Sequence, residues 1–397
     1  MLVVQKYGGS SVGTPEKIKQ AASRIATLHK TGKKIVVVVS AMGDTTDELV
    51  ELASKVSPRP HERELDMLLT AGERISVALL SMALRDQGHE AISFTGSQAG
   101  IITDESHTRA RILEIRPVRV QEELGRGKIV LVAGFQGVSR TKEITTLGRG
   151  GSDTTAVALG VALGADQCEV YTDVPGIFSA DPRKLPGAKR YSQLPLDLVF
   201  EMGVRGAQVM HPRSIEIARE RRFPLYVGLA DSDGVQNKER DGTMIIPSNS
   251  AIELPRVVAV AAKTDLMELA FKPSDASRIL KKLKDSNILV HDLAFDSSTG
   301  IRCLLDPKES SFFLDQHKEN LQPGPIALAS LIGFQMQTQP GLAEQVFQLL
   351  LGQGLAPARL TCHPQSITVW FSGENSKTMV TQAVERLHDA LVIAPSR

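Results

Sequence analysis

Aromatic side chains make up only 4% of the 397 residues, which argues against stacking platforms for nucleic-acid bases. An excess of one charge is missing too. The 46 Lys and Arg residues face 45 Asp and Glu residues, for a net charge of +1. No long basic or acidic block breaks that balance, so nothing points to nucleic acid or a membrane surface. The three cysteines, Cys168, Cys303 and Cys362, have no Cys or His close by at ligand spacing. They read as reduced thiols in a reducing compartment, not as a metal site. The opening MLVVQKYGG lacks a charged segment followed by a long apolar one, so no signal peptide is expected. No apolar run of membrane-spanning length is expected either. These absences together predict a cytoplasmic protein. Also missing are the G-x-x-x-x-G-K-[ST] and G-x-G-x-x-G phosphate loops, a Cys/His nucleophile pair and any His-rich run. No protein metal site is therefore expected.

What is present is a soluble, globular composition, 42% hydrophobic and 23% charged, long enough for two or three domains. The stretch 145–157, TTLGRGGSDTTAV, brings Gly148, Gly150 and Gly151 around Arg149 and then runs into an alanine-rich apolar segment. Such a loop can turn its N–H groups around an anion, and Ser152 or Asp153 can cap the helix that follows. Taken alone it reads equally as an ordinary helix-entry turn. A second loop of the kind, Lys6-Tyr7-Gly8-Gly9-Ser10-Ser11, follows the apolar run at residues 2–5.

Strand, Gly/Ser/Thr loop and helix recur along the chain. Thr14 and Pro15 open a helix to about Lys30. The run 35–39 is a buried-strand pattern ending at Ser40-Ala41-Met42-Gly43. The runs 129–133 and 167–171 repeat it before Gly134-Phe135-Gln136-Gly137 and Thr172-Asp173. This alternation predicts an α/β domain with a mostly parallel sheet, its ligands beyond the carboxyl ends of the strands. A long helix is predicted over 62–84, with Gly72-Glu73-Arg74 in its middle. A helix from His211 to about Arg222 and a strand over 224–229 complete a first domain, 1–233. Residues 234–250 are polar and aperiodic and read as a linker. Beyond it, short strands at 257–263 and 266–271, a helix over 275–286 and strands near 289–293 and 301–305 are followed by a similar order from 327 to 388. Two such units suggest tandem ferredoxin-like modules, about 251–322 and 323–397, over one irregular α+β domain.

Lys6 stands at a strand end beside Gly8 and Gly9, where an ammonium can reach a phosphate held by backbone N–H groups. A lysine snorkelling from a strand end fits equally. Phosphoryl transfer depends mostly on positioning and charge neutralisation, so a lysine, glycine loops and a metal would suffice.

The segments Lys6-Tyr7-Gly8-Gly9-Ser10-Ser11-Val12, Val39-Ser40-Ala41-Met42-Gly43, Gly72-Glu73-Arg74, Gly134-Phe135-Gln136-Gly137, 146–155 and 171–183 resemble, in order and spacing, the signatures of the aspartokinases. These are members of the amino acid kinase superfamily, and the resemblance covers residues 1–229. It implies a three-layer α/β/α kinase domain with a mostly parallel sheet, then a pair of ACT modules, which are ferredoxin-like binders of amino acids. The implied activity is ATP-dependent phosphorylation of the L-aspartate side chain to L-aspartyl-4-phosphate and ADP, the first step toward lysine, threonine and methionine. The resemblance implies that Lys6 stabilises charge on the γ-phosphoryl group and that Asp153 orients the lysine. Tyr7, Gly8, Gly9, Ser40, Thr172, Asp173, Phe178, Asp181 and Arg183 would line the nucleotide site, with Mg²⁺ held mainly by the phosphates. Glu73 would take the substrate ammonium and Arg149 its α-carboxylate. Ser40, Thr46, Gly150, Gly151 and Ser152 would complete the substrate pocket.

Effector amino acids, lysine or threonine, would bind at Asp275 and at Pro340-Gly341. A homo-oligomer through the ACT-like modules is expected, with or without a short regulatory subunit. Two positions depart from the pattern: Gln208 stands where many members carry lysine, and Pro273-Ser274-Asp275 stands where a Pro-Gly is usual. Sister kinases acting on acetylglutamate, glutamate or uridylate are rivals, and Glu73 with Arg149 argues against the first and last. The remaining rival is an amino-acid sensor with a silent kinase domain.

Overall fold

Continuous β-branched runs without polar alternation form strands buried on both faces, and the central sheet is built from such runs. The computed structural model describes residues 1–207, 210–230, 242–247, 257–286, 288–297 and 300–392. The chain divides into two units. The first is Met1–Ile177, Arg190–Val199 and Val209–Ser250; the second is Phe178–Lys189, Phe200–Gln208 and Ala251–Arg397. Two short segments from the region read as catalytic thus pack with the C-terminal part.

Elements run in chain order β1 (Leu2–Tyr7), α1 (Pro15–Lys30), β2 (Lys34–Val39), α2 (Thr45–Val56), α3 (Glu62–Asp86), β3 (Ala91–Phe94), β4 (Ile101–Thr103), β5 (Ile112–Ile115), α4 (Val118–Gly125), β6 (Ile129–Ala133), β7 (Gln136–Ser139), β8 (Ile144–Thr146), α5 (Gly151–Leu163) and β9 (Gln167–Thr172). Then come β10 (Ile177–Phe178), β11 (Arg190–Tyr191), β12 (Gln193–Pro195), α6 (Leu196–Val204), α7 (Pro212–Glu220), β13 (Leu225–Leu229) and β14 (Gly242–Ile246).

Eight strands form one sheet in the order β12-β14-β13-β9-β1-β2-β6-β3. Each pairing is parallel except β13–β14. Thr14 caps α1 through Lys17 N and Pro15 opens it, as its sequence signals require. Helices α1 and α3 bury Ile18, Ile25, Val77, Leu80 and Leu84 against Ile35, Val37 and Leu131. Helix α5, buried along most of its length, packs on β1 and β9 from the other side. A smaller sheet, β5-β4-β7-β8, carries the chain into the glycine loop before α5.

Three sequence expectations are corrected. Gln136 and Gly137 belong to β7 and not to a loop. Residues 242–246, inside the stretch read as a linker, form β14 and pair with β13. Helix α3 is long and apolar enough to cross a membrane, against the expectation of no such run, yet half of that window is buried inside the fold. It is a core helix of the α/β layer.

The second unit contains β15 (Val257–Phe271), α8 (Ala276–Asp285), β16 (Asp292–Asp296), β17 (Gly300–Leu305), α9 (Pro307–Gln316), β18 (Ile326–Gly333), α10 (Leu342–Leu351), β19 (Arg359–His363), β20 (Ser366–Ser372) and α11 (Ser376–Leu387). Its sheet order is β16-β17-β15-β18-β20-β19. The two strands read at 257–263 and 266–271 are one, with its register shifted between Lys263 and Leu266. Asp265 takes the left-handed conformation there, at φ 63°. The first half of β15 pairs with β18 and the second with β17. The two modules therefore share a strand, and a boundary near 322 does not separate them. Two further differences are that the strand expected at 289–293 forms at 292–296 and that α9 was not anticipated.

Leu131 lies wholly buried in β6. Leu131→Ala should destabilise the first unit by about 2–5 kcal/mol through lost burial and an unfilled cavity, lowering its urea midpoint at unchanged slope.

Candidate active site

Alternation along β1 sorts its side chains between the two faces of the sheet. Lys6 faces α5, where its Nζ lies 2.7 Å from Asp153 Oδ1. Both side chains are almost buried, at 13% and 12% exposure. The contact satisfies ion-pair distance without hydrogen-bond alignment, since Oδ1 has no aligned donor. Tyr7 faces the other way into the α1/α3 core and is wholly buried. Its side chain is therefore not available to a nucleotide; its carbonyl accepts from Ser40 N at 3.1 Å.

The neighbouring strand ends are tied together at the same edge. Gly8 N donates to Tyr171 O at 3.2 Å, Gly43 N to Gly9 O at 3.1 Å and Gly134 N to Val39 O at 3.0 Å. A side chain on Gly9 would sit 2.8 Å from Ala41 O, so only glycine lets these two loops meet. Gly150 holds φ 67° and caps α5, and a Cβ there would overlap His211. Sequence signals assign the capping role to Ser152 or Asp153, but both lie inside the first turn of α5 and no side chain caps it. That one-turn offset leaves the Asp153 carboxylate to Lys6. Arg149 and Asp173 are exposed, while Ser40, Thr46 and Thr172 are half-buried.

Glu73 is the second buried acid of the site, 3% exposed. Its Oε1 accepts from Ala41 N at 3.3 Å, and its Oε2 has no partner. Burial pushes its pKa up from 4.5 to about 7, against the pull of two backbone N–H groups. A buried carboxylate with one unmatched oxygen is suited to receive a cation from outside the chain.

Several supporting residues escape sequence reasoning. Asp66, wholly buried, accepts from Thr146 Oγ1 at 2.5 Å and Thr108 N at 3.0 Å and contacts His107 Nδ1 at 2.7 Å. It anchors β8, which leads into the glycine loop. Arg213 donates to Leu147 O at 2.8 Å and Ala110 O at 2.7 Å, holding the same loop from α7. Beneath β1, Glu169 accepts from Gln5 Nε2 at 2.9 Å and Tyr171 Oη at 2.6 Å. The Arg24 guanidinium lies 3.9 Å from the centre of the Tyr171 ring. Only the i, i+2 polar alternation Gln5/Tyr7 and Glu169/Tyr171 within apolar strands could have signalled this cluster.

Among the remaining expected residues, Phe178, Asp181 and Arg183 lie in the segment that packs with the second unit. There Asp181 Oδ1 accepts from Arg183 N at 3.0 Å, and the Ser179 hydroxyl shares a hydrogen bond with Nε2 of the buried His388, 2.8 Å away. Asp275 is already engaged by Arg278 at 2.8 Å. Gly341 stands at the N-cap of α10 and Pro340 is exposed. Gln208 lies outside the described residues.

A glycine cradle at parallel strand ends, with a lysine aimed from the sheet and an aspartate on the facing helix, is the equipment of a small-molecule kinase. Residues 1–228 match the amino acid kinase family. The aspartokinase of Mycobacterium bovis is 42% identical over 98% of this chain and 96% of its own. The crystal structure of Escherichia coli aspartokinase III with aspartate and ADP superposes with a TM-score of 0.82 at 22% identity, covering 99% of this chain and 100% of that one. The lysine- and aspartate-bound form of the same enzyme gives 0.70 at 22% identity, over 98% and 99%. The chain belongs to the amino acid kinase family and, within it, to the aspartokinases.

The raised Glu73 pKa fixes a pH dependence. Its neutral form favours the folded state, so that contribution is complete below about pH 4.5 and is lost as pH rises through about 7. Glu73→Gln should therefore stabilise the ligand-free protein by about 1–3 kcal/mol at pH 8 and change little near pH 4.5, as read by urea unfolding at the two pH values.

Proposed function

We propose that this chain transfers the γ-phosphoryl group of ATP to the side-chain carboxylate of L-aspartate, releasing L-aspartyl-4-phosphate and ADP. The Lys6–Asp153 pair beside the glycine cradle carries the reading. Asp153 holds the ammonium at the strand end, and the imperfect alignment of the pair leaves it able to turn toward a phosphoryl oxygen. There its charge offsets the negative charge that develops during transfer. Backbone N–H groups of Gly8 and Gly9 and the first turn of α5 add donors for the phosphates.

Glu73 supports the choice of a free amino acid. Its unmatched Oε2 takes the substrate ammonium, and that ion pair draws the carboxyl back to its ionised form. Arg149, exposed at the loop tip, takes the α-carboxylate. The two anchors fix which carboxylate of aspartate faces ATP. Mg²⁺ neutralises phosphate charge when bound. In this reading the nucleotide phosphates would hold it. Thr172 and Asp173 contact the nucleotide in this reading.

Residues 1–233 serve as the catalytic part and 251–397 as an amino-acid-sensing region that pairs chains into a homo-oligomer. Feedback inhibition by lysine or threonine fits the lysine complex of the Escherichia coli relative. Asp275 is already paired to Arg278, so the Gly341 helix start is the better of the two proposed effector sites.

With ATP, Mg²⁺ and aspartate, hydroxylamine should trap aspartyl hydroxamate. Lys6→Ala should lower kcat by a hundredfold or more, since removing one preorganised charge costs a few kcal/mol. Arg149→Ala should raise KM for aspartate at least tenfold with KM for ATP nearly unchanged. A loss confined to ATP affinity would reassign Arg149 to the phosphates.

A further inference from the structure

The six-stranded sheet of the second unit has helices over one face. On β15, Leu269 and Phe271 turn into the core of α8 and α9, so Glu268 points to the other face; on β17, Ile301 and Cys303 do the same and send Arg302 outward. On β20, Val369 and Phe371 enter the α10/α11 core and Trp370 points away from it. Leu266, Leu304, Ile326, Leu328 and Trp370 form a separate small cluster on that other face.

The sheet curls over this cluster. β16 and β19 are its two opposite edges, yet Arg359 Nη2 of β19 lies 2.7 Å from Asp292 Oδ2 of β16. The left-handed Asp265 and the register shift in β15 mark where the two halves of the sheet bend. Between them is a cleft of about 210 Å³ lined by Glu268, Arg302, Ile326, Arg359 and Trp370. The Arg359 guanidinium stacks 4.3 Å from the Trp370 ring centre. Arg302 Nη1 stands 4.0 Å from Glu268 Oε2, at the limit of an ion pair. The indole N–H of Trp370, a residue 5% exposed, is buried without an acceptor.

We propose that this cleft binds a free, electrically neutral α-amino acid, at a site separate from Asp275 and Gly341. A buried N–H without a partner implies an acceptor supplied from outside the chain, and a carboxylate between the Trp370 N–H and the Arg302 and Arg359 guanidiniums supplies it. Glu268 receives the ammonium, and Ile326 faces the side chain. The charges decide the class of ligand. Arg302 and Arg359 are balanced by Glu268 and Asp292, so a zwitterion leaves the site neutral, whereas a phosphate or dicarboxylate leaves it with excess negative charge. Size agrees: a cleft of about 210 Å³ lies below the roughly 300–1,000 Å³ of pockets for drug-sized ligands, which suits an amino acid better than a nucleotide. The proposal deepens the reading of the second unit as an amino-acid sensor and gives it a location.

Trp370 is the only tryptophan in the chain, so its emission reports this cleft in the intact protein. Titration of the full-length protein with L-threonine, L-valine and L-methionine should give a saturable emission change for at least one of them at millimolar concentration or below. Arg302→Gln, on a half-exposed side chain, should weaken that binding at least tenfold and leave uninhibited hydroxamate formation unchanged; Glu268→Gln should weaken it similarly. No emission change up to about 10 mM with any of the three overturns the proposal. A saturable change of equal affinity in Arg302→Gln does too, since it places the ligand elsewhere. Succinate binding more tightly than the amino acids overturns the neutral-ligand assignment. If none of the three changes the emission while lysine still inhibits hydroxamate formation, this cleft is refuted and the sensor reading stands.

Discussion

The ion pair between Lys6 and Asp153 is the contact on which the rest of the first unit depends. An ammonium at 13% exposure is costly to desolvate without a counter-ion, and α5 delivers one at 2.7 Å. For that, α5 must begin at Gly151, so that Asp153 falls in its first turn. Gly150 must take a left-handed turn against His211, and Gly9 must admit the backbone of Ala41. Asp66 and Arg213 fix the approach to the glycine loop from α3 and α7.

Glu73 shows the complementary strategy. Where Lys6 has a counter-ion within the chain, Glu73 is buried with one oxygen unmatched and its pKa is pushed up to about 7. In the function proposed above, the missing partner is the substrate ammonium. The two acids of the site thus differ by environment: Asp153 meets a lysine at 2.7 Å, whereas burial raises the pKa of Glu73, whose second oxygen has no partner.

Much of this was legible in the sequence. The parallel sheet followed from unbroken runs such as 35–39 and 129–133, and α1 from Thr14 and Pro15, because burial and capping are local signals. The glycine loops were legible for the same reason. What escaped was set by tertiary contact. Asp66, Arg213 and Glu169 carry no local mark, since their roles exist only where distant carbonyls and hydroxyls converge on them. The capping prediction at Ser152 and Asp153 failed because Gly150 supplies a left-handed turn that Lys6 and the loop exploit. In the second unit, two short strands with a polar Thr264-Asp265 between them read as separate elements. A bulged strand can instead serve two modules at once, and period-2 patterning does not distinguish these cases.

The central claim is that Lys6 and Asp153 act as one unit in phosphoryl transfer. A double-mutant cycle under single-turnover conditions, with ATP and aspartate saturating, tests it most directly. Lys6→Ala, Asp153→Ala and the double variant should show strong non-additivity, the double being no slower than Lys6→Ala alone within about threefold. Losses that multiply across the two sites would mean that the residues contribute independently, and would contradict the account.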